Sequence, residues 1–139
     1  MADEWAITLP SAVEVLPCLR SFLEVIGEVT GLSEPTLAAI VLSTHEAAVN
    51  VIRHAHASNP AIPLQIRCWV GPLEVKIELS DEGGPFDIGA VARLDPSEVR
   101  AGGRGVYLIR TLMDEVCCRP RTGGGNTLHL LKKRGERGA

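Results

Sequence analysis

The sequence predicts an α+β domain, a two-layer sandwich in which a mixed, mostly antiparallel sheet carries helices packed on one face. Three observations predict it. Leu73, Val75, Ile77 and Leu79 alternate with Glu74, Lys76, Glu78 and Ser80, the period of a half-buried strand. Leu64–Val70 precedes that strand across a Gly71-Pro72 turn, which calls for antiparallel pairing. The order strand, helix, helix, strand, strand, loop, helix, strand, strand lacks the regular alternation of a doubly wound parallel sheet.

The elements follow in chain order. Trp5, Ile7 and Leu9 alternate with Ala6 and Thr8 as a short first strand, which Pro10 ends. Ser11 and Glu14 have capping-box spacing, but Pro17 opposes a regular helix before it. A helix is therefore expected from about Val15 to Val29, with the stripe Leu19, Phe22, Leu23, Ile26 and Val29, closed by Gly31. The next helix is capped by Ser33, with Glu34 and Pro35 in its first turn, and runs to about His56. Its apolar face is Leu37, Ile40, Val41, Ala48, Val51, Ile52 and Ala55. A Gly- and Pro-rich loop spans Asp81–Gly105, and a helix covers about Val106–Asp114. Strands near Glu115–Arg119 and Thr127–Lys132 flank the turn Gly123-Gly124-Gly125-Asn126.

Composition bounds the function. The 139 residues fit one domain, taken as 1–139, and the 4% aromatic share leaves a core of aliphatic side chains. A net charge of −3 argues against an electrostatic nucleic-acid binder. The basic run Lys132, Lys133, Arg134 and Arg137 reads as a solvated terminus. Cys18, Cys68, Cys117 and Cys118 show no CxxC spacing, so reduced thiols are expected, without a disulfide framework or a zinc site. The start Met-Ala-Asp-Glu lacks the features of a signal peptide, and no stretch is expected to cross a bilayer. A cytoplasmic location follows as the expectation, with neither a membrane nor a nucleic acid as partner.

Glu46, Asn50 and His54 recur every four residues, each turned by about 40° from the last, and make one polar ridge. Ala39 and Ser43 lie on the same side, away from the stripe centred on Leu37. Such a ridge is either a solvated helix face or one wall of a site. As a wall, Asn50 offers an amide oxygen to magnesium and Glu46 a carboxylate to act as general base. His54 reads as an outer hydrogen-bond partner or a structurally satisfied histidine.

Two glycine segments offer a facing wall. Asp81 ends a strand ahead of Gly83-Gly84-Pro85-Phe86-Asp87, where glycine admits close approach and a carboxylate accepts from an exocyclic amine such as that of adenine. Gly102-Gly103-Arg104-Gly105 stands immediately before a helix, whose free N–H groups bind phosphate. No Gly-Lys-Ser/Thr follows, so it is not a Walker loop, and a flexible hinge would look the same.

Taken in order, these segments resemble the ATPase superfamily of gyrase-type topoisomerases, mismatch-repair ATPases and sensor histidine kinases. HEAAVNVIRH is similar to its N box, SDEGGPFD to its first glycine box, GGRGVYLIRTLMDEV to its second and GGGNTLHLLKK to its last. The compact form closest to this chain is the anti-sigma-factor serine/threonine kinase family, which it resembles from about Ile7 to Lys133. The resemblance implies the histidine-kinase-like ATPase fold, with ATP and Mg2+ held between the N-box helix and the glycine loops. It implies Glu46 as catalytic base, Asn50 as the magnesium ligand, and Asp81 at the adenine amine with Gly83 beside it. Gly103 and Gly105 would lie by the phosphates and Thr127 near the base, while His54, Pro85, Phe86, Arg104 and Val106 flank these positions in the nucleotide-binding set. Arg20 resembles an arginine that contacts nucleotide or partner. Pro85 stands where the superfamily usually has the second glycine of the first box, and the lid segment Ile88–Ala101 is short.

The implied function is transfer of phosphate from ATP to a Ser or Thr of an anti-anti-sigma protein. Binding of a sigma factor and a homodimeric state are implied as well. Two other readings stay open: a catalytically silent ATP-binding switch, and the catalytic fragment of a histidine kinase. The silent switch needs Asn50 and Asp81 but not Glu46 as a base. The histidine kinase needs a phosphoacceptor hairpin upstream, where this chain places a strand and a helix of the domain itself.

Overall fold

In the computed structural model, residues 3–82 and 101–135 are described. Five strands, β1 (Asp3–Pro10), β2 (Pro63–Val70), β3 (Glu74–Asp81), β4 (Glu115–Pro120) and β5 (Asn126–Lys133), form one sheet in the order β1-β2-β3-β5-β4. Every neighbouring pair is antiparallel. The β2–β3 hairpin closes where expected, with Gly71 N donating to Glu74 O over 2.9 Å. Alternation assigns the two faces. Leu64, Ile66, Cys68 and Val70 of β2, Val75, Ile77 and Leu79 of β3, and Leu128 and Leu130 of β5 are buried. Between them lie Arg67, Lys76, Glu78 and His129 on the open face, where Arg67 pairs with Glu4 at 2.7 Å and His129 Nδ1 lies 3.4 Å from Glu78.

Among the described residues, three helices, α1 (Leu16–Thr30), α2 (Glu34–Asn50) and α3 (Ala101–Leu112), supply the second layer. A short 3-10 turn, Val13–Val15, leads into α1. Pro17 sits in the first turn of α1, where its missing N–H leaves no helical bond unmade. Leu19, Leu23 and Ile26 face the core, but Val29, expected in the same stripe, is 71% exposed. The helix ends on Gly31, whose φ of 71° is the left-handed cap glycine adopts readily. Ser11 does not cap it, since its hydroxyl is buried and bonded elsewhere.

α2 is the central helix, packed on α1, α3 and the sheet. Ser33 caps it by accepting from Thr36 N over 3.4 Å. Because it has neighbours on several sides, burial extends beyond the expected stripe to Ala39 and Ser43. The same position corrects the expectation that no stretch is long and apolar enough for a membrane. Glu34–Ala55, 22 residues, passes that test by length and composition, yet half of it is buried within this fold. Its apolarity is that of a core helix.

Two ends depart from the local pattern. The α-helix stops at Asn50 and continues as a π-turn, Val51–Ala55, rather than running regularly to His56. Ala57 and Ser58 then adopt φ of 50° and 58°, strained for residues with a Cβ. At the other end Arg134 is not merely solvated. Its guanidinium donates to Gly71 O at 2.9 Å and Thr30 O at 3.1 Å, tying the last strand to the end of α1. The four cysteines are free thiols, and among the described residues no cluster of His, Cys, Asp and Glu could hold a metal.

Candidate functional site

The candidate site is built on the inner corner where β3 ends beside the start of β5. Asp81 is the last residue of β3 and pairs with Asn126, the first of β5. The period that buries Val75, Ile77 and Leu79 carries Asp81 inward too, and its residue is 6% exposed. Asn126, 4% exposed, donates from Nδ2 to Asp81 Oδ1 at 3.3 Å. Arg121 Nη1 donates to the carbonyl oxygen of Asp81 at 2.9 Å. Gly125, at φ 83°, approaches so closely that a Cβ there would collide with the same carbonyl oxygen. A carboxylate is thus held at a strand end, with its main chain braced from the β4–β5 turn.

Asn126 is the residue that reading the sequence missed. Thr127, expected near the base, pairs with Ser80 and faces away from Asp81. The signal was present: Leu128 and Leu130 mark the inward register of β5, and a period of two from them reaches Asn126, not Thr127.

The polar ridge of α2 is placed in part. Glu46 and Asn50 are both half-buried, Asn50 as the last α-helical residue before the π-turn. The Asn50 carboxamide has no hydrogen bond among the described residues, which leaves its oxygen available to a cation. His54 does not continue the ridge as an outer hydrogen-bond partner. The π-turn breaks the four-residue phase, and His54 lies exposed. Its near neighbour His56 is instead buried and bonded through both ring nitrogens. Glu46 also lines a groove of about 630 Å³ between α1 and α2, together with Arg20, Leu37, Val41 and His45. Arg20 itself pairs with Glu24 at 3.1 Å, one turn along α1.

The glycines of the second box are not in a loop before a helix, as expected. α3 begins at Ala101, so Gly102, Gly103, Arg104, Gly105 and Val106 belong to its first turns. The first four N–H groups of a helix lack intrahelical partners, so this start keeps donors at Gly102 and Gly103, whereas Gly105, expected by the phosphates, lies beyond them as the fifth helical residue. α3 packs along α2, which carries Asn50. Gly83, Pro85, Phe86 and nearly all of the lid segment Ile88–Ala101 fall outside the described residues.

The donor set fits a nucleotide and its magnesium. It combines an inward carboxylate for an exocyclic amine, a carboxamide oxygen for a hard cation, and a glycine-bearing helix start for phosphate.

Comparison with known proteins gives the family. The family model described as "Histidine kinase-like ATPase domain" matches residues 9–132. The serine-protein kinase RsbW of Staphylococcus epidermidis is 30% identical over 94% of this chain and 86% of its own length. That of Bacillus licheniformis is 28% identical over the same shares, and that of Listeria monocytogenes 27% identical over 84% and 79%. Among solved structures, the RsbU and RsbW domains of Rv1364c from Mycobacterium tuberculosis align with a TM-score of 0.68 at 18% identity. That alignment covers 97% of this chain and 34% of the other, a likeness of fold. By sequence match and by fold, the chain belongs to the histidine kinase-like ATPase domain family, among the serine-protein kinases named RsbW.

Proposed function

We propose that the chain transfers the terminal phosphoryl group of ATP to a serine or threonine of an anti-anti-sigma protein, and that it also binds a sigma factor. The observation that carries this reading is the buried Asp81 carboxylate at the end of β3, fixed by Asn126 and Arg121. A carboxylate accepts from the 6-amino group of adenine, the position where guanine carries a carbonyl oxygen that cannot donate. Asp81 would select and orient the base. Asn50 would hold magnesium through its amide oxygen, and the start of α3 would hold phosphate oxygens. Magnesium supplies charge neutralisation on the phosphates when bound. Glu46 would accept the proton of the attacking hydroxyl. A homodimer and a cytoplasmic location belong to the same reading.

The test uses labelled ATP, the chain and a candidate anti-anti-sigma protein. Label should enter the partner with wild type and not with Glu46→Ala, while ATP binding persists in both. Equal labelling by E46A rejects Glu46 as the base. Nucleotide binding without labelling by wild type favours the silent switch.

A further inference from the structure

His56 is 1% exposed, and both of its ring nitrogens are engaged. Nδ1 lies 2.7 Å from Ser11 Oγ. Nε2 accepts from the backbone N–H of Glu82 at 2.8 Å. An amide N–H only donates, so Nε2 carries no proton. The Ser11 hydroxyl donates its own proton to Ile62 O at 2.7 Å, so toward the ring it accepts. Nδ1 must then hold the ring proton, and the surroundings select one neutral tautomer.

The Glu82 N–H belongs to the same peptide unit as the Asp81 carbonyl. Arg121 holds the oxygen of that unit and His56 its hydrogen. The plane that sets the direction of the Asp81 side chain is therefore gripped at both ends. Around His56 the backbone is unusual: the π-turn Val51–Ala55 precedes it and the left-handed Ala57 and Ser58 follow. Ser58 N reaches back to Ile52 O at 2.6 Å. Strain of this kind persists where surrounding structure enforces a particular placement.

We infer that His56, as its Nδ1–H tautomer kept by Ser11, is a positioning residue for adenine recognition, acting through the Asp81–Glu82 peptide. This rests on the ATP-binding reading above. It predicts an effect on base selectivity more than on phosphate affinity, because the group assigned to magnesium lies on α2 and those assigned to phosphate on α3.

The test measures binding of ATP and GTP, each with magnesium, to the full chain. Gln reaches as far as Nε2 and keeps an acceptor for Glu82, whereas Asn mimics only the Nδ1 side. Wild type should prefer ATP. His56→Asn should lower that preference about tenfold, the factor expected for one misplaced hydrogen bond, with GTP affinity unchanged. His56→Gln should restore most of it. Ser11→Ala, which frees the tautomer, should shift it in the direction of H56N. An unchanged ATP/GTP ratio in H56N and S11A overturns the inference. Nitrogen-15 spectra of the wild-type imidazole add a readout independent of variant folding: an Nε2–H tautomer also overturns it. Wild type that binds neither nucleotide sinks the ATP-binding reading itself, and this inference with it. Wild type that binds ATP while H56N keeps its selectivity sinks this inference alone.

Discussion

Asn126 donates to the carboxylate of Asp81 from the position directly across the β3–β5 ladder. Two polar side chains, both nearly inaccessible, thus sit at the end of an otherwise aliphatic face. Burying such groups is costly unless they are satisfied, so the pair reads as a placed recognition element.

Asp81→Asn keeps the shape and removes the charge and one acceptor oxygen, the group proposed to receive the adenine amine. ATP affinity should fall by about tenfold or more with the thermal midpoint nearly unchanged. Calorimetric titration checks this, and equal ATP affinity in both proteins rejects Asp81 as the adenine contact.

Gly125→Ala meets two obstacles, the left-handed φ of 83° and the carbonyl of Asp81. Gly123, at φ 89°, has no neighbour within 4 Å of an added Cβ and serves as control. G125A should lose on the order of 1–3 kcal/mol from backbone strain, plus a further loss from the collision. G123A should lose the strain part only. Urea unfolding measures both, and ATP affinity should fall in G125A alone.

Arg134→Ala removes donors to Gly71 O, Thr30 O and Gly31 O. Hydrogen bonds from a charged donor contribute about 1.5–3 kcal/mol, and a loss in that range is expected. Arg134→Lys should not rescue it, because one ammonium cannot reproduce the planar fork. Lys133→Ala, next to it and exposed, should stay within about 0.5 kcal/mol of wild type.

Burial pushes the Cys68 thiol up from 9.0 to about 12. The folded state therefore binds the proton more tightly than the unfolded state. Its contribution to stability is complete below pH 9.0 and is lost as pH rises toward about 12. Between those limits, urea midpoints of wild type should fall more steeply with pH than those of Cys68→Ala. At neutral pH a maleimide should label exposed Cys18 and spare Cys68 until the chain unfolds. Matching alkaline slopes in the two proteins exclude this linkage.

Much of the architecture was legible in the chain itself. The alternation from Leu73 to Ser80 marked β3, Gly71-Pro72 marked its hairpin, and Ser33 and Gly31 marked helix ends that the structure keeps. Asp81 was legible because it extends that same alternation to the strand end. The errors arose where neighbours in space overrode local pattern. Val29 fits the α1 stripe yet nothing covers it fully, while Ala39 and Ser43 fit a polar ridge yet are covered. The glycines ahead of Val106 suggested a loop, but helix start positions tolerate them, and α3 begins at Ala101.

Local order in the chain determined the strand and helix periods, the turns and the sequence of motifs, because each depends on residues a few positions apart. Tertiary structure alone decided that His56 rather than His54 turns inward, that the inward Asn126 of β5 lands beside Asp81, and that Arg134 closes the end of α1. The Ser11–His56 and Asp81–Asn126 contacts each join residues 45 positions apart, and Thr30 and Arg134 are separated by 104. No periodicity reaches across such spans. Those pairings exist only once the sheet has closed and its buried polar groups have found partners.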